Sequence, residues 1–311
     1  TLLLTLAISA LSTSLVHAQE QDASIEEVTI IGSREQALRL AGSAHYIGSD
    51  KLAQFAYSDI QRIAREVPGV SIQIEDGYGL RPNIGIRGVA TERSGRITLL
   101  EDNVLIAPAP YSAPSAYYFP TVGRLSAIEV VKGPAAITQG PYTIGGALNM
   151  VSTPIPTPMS GKVITEVGED STYRVHATYG GRSESGFGFL LETHQWQSDG
   201  FQDIDRSNNN TGLDVEDYTV KLSYTPSSSA HGIELKLQST EQSSNQSYLG
   251  LTDRDFDNNA FRRYGLSARD NIKTEHEQQI LRYSYDISCS NSSDWRNNNY
   301  TSSENRIVIT I

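Results

Sequence analysis

The second half of the chain consists of short segments in which apolar and polar residues alternate strictly. The clearest segments are TYRVHATYG, DYTVKLSYT, HGIELKLQS and QILRYSYDI, which begin at residues 172, 217, 231 and 279. A period of two places successive side chains on opposite faces of an extended strand, so each segment predicts a β-strand with one apolar face. Such strands fit both a soluble sandwich and an outer-membrane barrel.

The connections between these segments favour the barrel. Gly181–Ser185 and Pro226–Ala230 are short, whereas Ser198–Asp217 and Glu241–Glu277 are long, polar and rich in Asn, Asp and Ser. Short turns at one rim and long loops at the other are typical of transmembrane barrels. Only the short link at Glu169–Ser171 fits this alternation poorly.

The barrel predicted from this chain is incomplete. About six strands fit before the end of the sequence, whereas single-chain barrels begin at about eight strands. The tail, residues 289–311, loses the tyrosine-rich alternation. We interpret that tail either as a polar loop or as an out-of-frame extension.

The chain begins with an apolar stretch, TLLLTLAISALSTSLVHA, over residues 1–18. Val16 and Ala18 stand where a signal peptidase would cleave, before Gln19 and a polar QEQDAS segment. A buried core helix is the alternative, but the terminal position favours a signal peptide and export in a Gram-negative cell. No later stretch approaches the roughly 20 apolar residues of a membrane-spanning helix.

Composition excludes several classes of function. The net charge of −11 argues against nucleic acid as a partner, because phosphate binding requires a basic surface. The single cysteine, Cys289, excludes an intramolecular disulfide. No nucleophile elbow, P-loop or zinc-protease motif is present, and the six histidines have no metal-ligand spacing. The sequence therefore predicts no enzyme activity, no cofactor and no metal site.

The middle of the chain is rich in glycine and proline. The stretch IEVVKGPAAITQGPYTIGGALNMVST, residues 128–153, permits only short strands joined by sharp turns. We expect a compact domain with buried strands at Ile97–Leu100 and Ile128–Val131 and a short helix at Ser58–Val67. The apolar residues of that helix share one face: Ile60, Ile63, Ala64 and Val67.

Several separate motifs in this order resemble those of TonB-dependent outer-membrane receptors. They are IEEVTIIGSRE, IAREVPGV, RPNIGIRG, LLEDNVLIAPAPY and IEVVKGPAAITQGPYTIGGALNMVS. Within that family, APAPYSAPSAYYFP and YLGLTDRDFDNNAFRRYG look like the ferric dicitrate receptor group. The resemblance implies a periplasmic segment at residues 19–50, an α+β plug domain at 51–158, and the first strands of an antiparallel transmembrane β-barrel at 159–311. In the family that barrel has about 22 strands.

The resemblance also implies an energy-coupling segment, the TonB box, at Ile25–Ile31. Its residues are Ile25, Glu26, Glu27, Val28, Thr29, Ile30 and Ile31. An extended, β-branched segment can bind TonB by adding a strand to the edge of a sheet. The alternative is that VTII is simply the first strand of the plug. Only Gln19–Ser24 separate this box from the cleavage site, so we expect no additional signalling domain there.

The plug residues that the resemblance singles out are of two kinds. Arg87 resembles the arginine that pins the plug to barrel carboxylates, and we take Glu192 as its partner. A second family arginine falls on Ala127 here, with Arg124 three residues earlier, so the full ionic latch is in question. The candidate ligand-binding residues, for which ordinary packing is the alternative, are Arg93, Arg96, Tyr111, Tyr117 and Tyr118.

The function implied by the resemblance is uptake of a ferric chelate across the outer membrane, with iron as cargo inside its chelator. The expected partners are TonB with its inner-membrane energising complex, the chelate and outer-membrane lipid. The alternatives are a receptor for vitamin B12 or a carbohydrate, and an adhesin-like barrel that transports nothing.

Overall fold

A computed structural model of the chain describes residues 29–40, 42–55, 60–107, 118–141, 143–287 and 305–310. The predicted signal peptide and most of the predicted TonB box lie outside these residues. Within the described ranges, no helix is both long enough and apolar enough to cross a membrane. The described residues form an N-terminal domain, residues 29–152, and an antiparallel sheet that packs against it.

The N-terminal domain combines short helices with short strands. Its helices are α1 (Arg34–Ala37), α2 (Ser49–Phe55) and α3 (Ile60–Ala64), and its strands are β1 (Ser43–Ile47), β2 (Val70–Gln73), β3 (Asn83–Ile86), β4 (Thr98–Glu101), β5 (Val104–Ala107), β6 (Leu125–Lys132) and β7 (Ala147–Ser152). The main sheet has the order β1-β6-β7-β4-β5, in which β4 and β7 are parallel and the other neighbours antiparallel. Strands β2 and β3 form a separate antiparallel pair.

A large apolar core lies within this domain, beside a second and smaller buried apolar cluster. It includes Ile60, Ile84, Leu99, Ile128 and Leu148, each 1% exposed or less. The two predicted buried strands are confirmed as β4 and β6, and the predicted helix is present as α3 with its apolar face in the core. Burying a side chain of this size contributes about 1.5–3 kcal/mol.

The domain begins earlier than predicted. Strand β1 pairs with β6 along its whole length, and Ile31 and Ala37 are buried beside Val131. The predicted boundary at residue 51 is therefore wrong for the described residues. It failed because helix α1 and strand β1 are short and polar in sequence, and only their pairing with β6 makes them part of the domain.

The glycine pair before β7 is required by a close approach of two strands. Gly146 has φ +146°, and a Cβ at this position would lie 2.4 Å from the carbonyl oxygen of Val131. Its neighbour Gly145 would place a Cβ 2.9 Å from Ile97. Only glycine fits at Gly146 without strain, which explains this part of the glycine-rich sequence.

The second unit is a sheet of seven consecutive antiparallel strands. These are β8 (Ser160–Val167), β9 (Tyr173–Arg182), β10 (Phe187–Ser198), β12 (Leu213–Tyr224), β13 (His231–Ser244), β15 (Ile272–Ile287) and β16 (Asn305–Thr310). The connections after β10 and β13 contain helix α4 (Asp253–Asn258) and the short strands β11 (Asp203–Ile204) and β14 (Arg262–Arg263), which pair in parallel.

The alternation of short turns and long connections is confirmed, but the strands are longer than predicted. Strand β13 continues to Ser244 and β15 begins at Ile272, so the long connection between them is shorter than Glu241–Glu277. Polar side chains do not end a strand, because the ladder is formed by backbone groups. The sheet also has one strand more than predicted: Asn305–Thr310, within the doubtful tail, pairs with β15.

The polarity of this sheet is the reverse of that in a soluble protein. The apolar face is exposed, with Leu191 at 49% and Tyr218 at 51%, whereas the polar face is buried, with Lys236 at 0% and Asp217 at 1%. A large exposed apolar face requires an apolar surrounding or a partner. This arrangement supports the barrel over the sandwich, because a barrel presents its apolar face to lipid.

We expect Gly146→Ala to destabilise the N-terminal domain, because it forces a strained backbone and a contact with the carbonyl of Val131. The expected loss is about 1–3 kcal/mol in the free energy of unfolding. The measurement is the urea midpoint of the purified protein in detergent. Gly168→Ala is the matched control, since its Cβ would make only ordinary contacts. Equal midpoints for the two variants would contradict this account.

Candidate functional site

Acidic and basic side chains from both units meet in a buried ion cluster. The Nη1 of Arg124 lies 2.8 Å from Oε1 of Glu101, and its Nε lies 2.8 Å from Oδ2 of Asp217 on the sheet. The Nζ of Lys236, also on the sheet, lies 2.8 Å from Glu101 and 2.6 Å from Oδ2 of Asp102. None of these five side chains is more than 1% exposed. The cluster therefore ties the N-terminal domain to the sheet away from solvent.

Local sequence brings the domain side of this cluster to the interface. Arg124 ends a short 3₁₀ turn that leads directly into β6. Gly123 lets that turn approach the sheet closely, because a Cβ there would lie 2.4 Å from Nε2 of His194. Asp102 and Asn103 form the two-residue turn between β4 and β5 with φ of +50° and +63°, a conformation that Asp and Asn tolerate.

A polar shell completes the cluster. The hydroxyl of Tyr118 donates to Oε2 of Glu101 at 3.3 Å and accepts from Nε2 of Gln238 at 2.9 Å. The ring of Tyr118 stacks on the ring of His276, with centroids 3.7 Å apart. Thr240 donates to Asp217 at 3.0 Å. These bonds satisfy buried groups that would otherwise each cost about 1–3 kcal/mol.

The cluster keeps its two domain carboxylates ionised. Burial alone would raise the pKa of Glu101, but Arg124 and Lys236 lower it to about 2. Burial acts in the same sense on Asp102, and Lys236 and Lys221 hold the pKa of that carboxyl well below its usual range. Burial opposes the charge of Arg124 as well, yet Asp217 and Glu101 raise its pKa well above the ordinary value.

The predicted ion pair between Arg87 and Glu192 is not formed. Arg87 is exposed in the turn after β3, with φ +59° and its guanidinium against Gly133. Glu192 is buried and contacts Oγ1 of Thr153 at 2.6 Å and Nε2 of His176 at 2.8 Å. Arg124, which the family pattern did not single out, occupies the interface instead.

Aromatic and basic groups gather where the domain meets the long connections of the sheet. Tyr248, 54% exposed, lies beneath the guanidinium of Arg93 at 4.9 Å and that of Arg81 at 5.9 Å. Arg93 also forms a bidentate pair with the carboxylate of Glu75. We name Arg81, Arg93 and Tyr248 the outer arginine site. Arginine placed over an aromatic ring suits planar anionic ligands.

The other candidate ligand residues have different positions. Arg96 is exposed, and its backbone carbonyl accepts from the amide of Gly145 at 3.2 Å. Tyr118 is buried in the shell of the ion cluster, so it is a contact between the two units rather than a free ligand group. Tyr111 and Tyr117 lie outside the described residues. Among the described residues, no group of three or more His, Cys, Asp or Glu side chains is arranged to hold a metal ion.

We expect Arg124→Gln to destabilise the interface by about 3–5 kcal/mol, because buried Asp217 loses its cationic partner and buried Glu101 keeps only Lys236. The fluorescence of Trp196 is a suitable probe, since its ring lies 5.7 Å from that of Tyr78 in the N-terminal domain. The urea midpoint is read from this signal in a Trp295→Phe background. Arg87→Gln, the same change at an exposed arginine, should alter stability by less than about 0.5 kcal/mol.

We expect acid to weaken the same interface over a defined range of pH. The pKa of Glu101 is about 2 in the folded protein and 4.5 for the ordinary carboxyl. Because the unfolded state binds the proton first, the contribution of Glu101 is complete above about pH 4.5 and is lost as the pH falls towards about 2. Urea midpoints measured across this range test the claim. A loss of stability that is complete by about pH 5 would contradict it.

Comparisons with known proteins agree with this architecture. Residues 36–147 match the family model described as TonB-dependent Receptor Plug Domain. The vitamin B12 transporter BtuB of Vibrio vulnificus strain CMCP6 is 26% identical over 225 residues, which cover 71% of this chain and 34% of that protein. The BtuB of Photobacterium profundum is 25% identical over 198 residues, covering 63% of this chain and 32% of that protein.

Solved structures of the same architecture superpose on most of the chain. The ferric citrate transporter FecA in its unliganded form gives a TM-score of 0.69 at 22% identity, covering 83% of this chain and 39% of that one. The ferric yersiniabactin receptor FyuA of Yersinia pestis gives 0.65 at 16% identity, covering 82% and 39%. The chain thus spans about a third of the curated relatives' length.

These likenesses show the fold and leave the ligand open, so the resemblance to the dicitrate receptor group remains a prediction. The N-terminal domain matches the plug in sequence and structure, and the seven-stranded sheet matches the barrel wall in structure. Residues 36–147 therefore match the plug domain of TonB-dependent receptors, and the antiparallel strands that follow have the fold of the receptor β-barrels.

Proposed function

We propose that this chain is part of an outer-membrane receptor that takes up a ferric chelate by TonB-dependent transport. The observation that carries the ligand class is the outer arginine site, where the guanidinium of Arg93 lies over the exposed ring of Tyr248 and that of the buried Arg81 lies 5.9 Å from the same ring. The charged groups of carboxylate-rich iron chelates are planar. Each carboxylate can accept two parallel hydrogen bonds from a guanidinium group. The fold likeness to ferric citrate and ferric siderophore receptors supports the same class.

The outer arginine site suits binding from the outside. It lies beside the long connection that begins after Ser244, which in a barrel belongs to the outer rim. The backbone amide of Arg93 donates to Oδ1 of Asn83 at 2.7 Å and holds the residue at φ +49°. The backbone at Arg93 is therefore positioned without a ligand. A bound anion would compete with the carboxylate of Glu75 for the guanidinium of Arg93. A ligand must therefore carry enough negative charge to displace that carboxylate.

Transport would use the remaining parts in sequence. Ligand binds at the outer arginine site, the segment Ile25–Ile31 becomes accessible at the periplasmic side, and TonB binds it by strand addition. Force applied through TonB displaces part of the plug, and the inner-membrane proton gradient supplies the work. The buried ion cluster holds the rest of the plug in the wall while this happens.

Vitamin B12 is the second candidate ligand. It is supported by the curated relatives, which are vitamin B12 transporters at 26% and 25% identity. The outer arginine site distinguishes the two candidates, since a predominantly anionic ligand depends on Arg93 and a predominantly neutral one does not.

The test is uptake of radiolabelled ferric citrate and vitamin B12 by cells that express the full-length protein and lack their own receptors. We expect ferric citrate uptake that is lost on deletion of residues 25–31 and binding that falls about tenfold or more in Arg93→Gln. Arg65→Gln is the matched control, because Arg65 is exposed and belongs neither to the outer arginine site nor to the candidate ligand residues. Uptake of vitamin B12 alone would select the second candidate, and uptake that survives the deletion would reject the energy-coupling role.

A further inference from the structure

One buried carboxylate holds the backbone of the segment that enters the plug from the N-terminal side. Oε2 of Glu129 accepts from the amide of Ile30 at 2.6 Å, and Oε1 accepts from the amides of Ile31 at 3.0 Å and Gly32 at 2.8 Å. Glu129 is 0% exposed and belongs to β6, in the interior of the main plug sheet. Three consecutive amides are thus fixed by a side chain and not by a neighbouring strand.

This geometry is specific to the segment. Gly32 has φ +76°, a left-handed conformation in which the chain changes direction immediately after the third amide that Glu129 binds. Converging backbone amides form an anion-binding concavity, and bonds to an ionised acceptor are about twice as strong as neutral ones. Neutralising Glu129 would weaken all three bonds together. A change at this one side chain would therefore affect all three hydrogen bonds to the segment.

The same carboxylate is connected to the barrel wall. Its Oε2 accepts from Nδ2 of Asn149 at 2.9 Å, and Oδ1 of Asn149 accepts from the amide of Asn103 at 2.9 Å. Asn103 follows Asp102, whose carboxylate contacts Lys236 and whose carbonyl accepts from Nη2 of Arg282 at 2.6 Å. Hydrogen bonds therefore run without a break from two strands of the wall to the segment at Ile30.

We propose that Glu129 is a catch that retains the end of the TonB box in the plug, and that Asn149 couples this catch to the buried ion cluster. The inference rests on the proposed function, because Ile30 and Ile31 are the last two residues of the predicted box. With the catch closed, the amides that TonB would bind are occupied by Glu129. Movement of the Asp102–Asn103 turn against the wall withdraws Asn149 and weakens the catch.

The experiment measures exposure of the segment directly, without ligand or TonB. A cysteine introduced by Val28→Cys, in a Cys289→Ser background, is labelled with a membrane-impermeant maleimide in open outer-membrane fragments. We expect Glu129→Gln to increase the labelling rate about tenfold, because the amide side chain cannot accept from three donors. Glu35→Gln, at an exposed carboxylate on α1, is the matched control and should leave the rate unchanged.

Heat-modifiable mobility on a gel identifies preparations in which the variant is folded. A folded Glu129→Gln variant that is labelled at the control rate overturns the catch. If the variant does not fold, hydrogen exchange of the unaltered protein decides instead: the amides of Ile30, Ile31 and Gly32 should exchange as slowly as those of β6. Rapid exchange at all three overturns the proposal. Neither readout depends on uptake, so its failure is distinguishable from failure of the proposed function.

The coupling to the wall is tested by a double-mutant cycle. Lys236→Gln, which disturbs the ion cluster, should raise the labelling rate when Asn149 is present and add nothing in an Asn149→Ala background. Equal effects of Lys236→Gln in both backgrounds would show that Asn149 does not transmit the change. In that case the catch is local to Glu129 and the coupling is overturned.

Discussion

The structure depends on the charge pairing between Arg124 of the plug and Asp217 of the wall, with Glu101 shared between Arg124 and Lys236. The inner face of the wall is largely polar, and the apolar contact that it makes with the plug is small. Buried ion pairs contribute less to net stability than their Coulomb energy suggests, because desolvation opposes them. Their strict geometry instead specifies one position and one rotation of the plug against the wall.

The interactions that fold the plug differ from those that dock it against the wall. The apolar core around Ile84, Leu99 and Leu148 lies within the plug sheet and its helices and does not depend on the wall. A smaller apolar contact, in which Trp196 and Val215 of the wall pack on Leu80, accompanies the docking. The plug can therefore keep its shape when the ion cluster is disturbed, which the proposed displacement of part of the plug during transport would require.

Much of this fold was predictable from the sequence, and the reason is the strength of local patterns. Period-two alternation predicted the wall strands, because it distinguishes their exposed apolar face from their buried polar face. The apolar runs at Ile97–Leu100 and Ile128–Val131 predicted plug strands, because those strands are buried. The ends of β13 and β15 were not predictable in the same way. Residues such as Glu241 and Gln242 pair through their backbones, so their polar side chains do not mark the end of a strand.

The interface was predicted less well, because its partners are remote in sequence. Arg87 and Arg124 both lie next to glycine in short turns, and only the docking of the turn at Gly123 and Arg124 against the wall decides which arginine is buried. Asp217 lies 93 residues from Arg124, and no local pattern relates them. Tyr118 was interpreted as a ligand residue because its neighbours resemble a loop, whereas its ring is stacked on His276.

The position of β1 at the edge of the plug sheet has a mechanical consequence. Among the described strands, β1 is hydrogen-bonded to β6 alone, while β6 and β7 are each bonded on both sides. Under the proposed pull by TonB, tension from the N-terminus would reach this outermost strand first and break its hydrogen bonds to β6. Glu101 and Arg124 follow β1 in the chain. The first part of the plug can therefore unfold into an extended segment while the ion cluster holds the remainder against the wall.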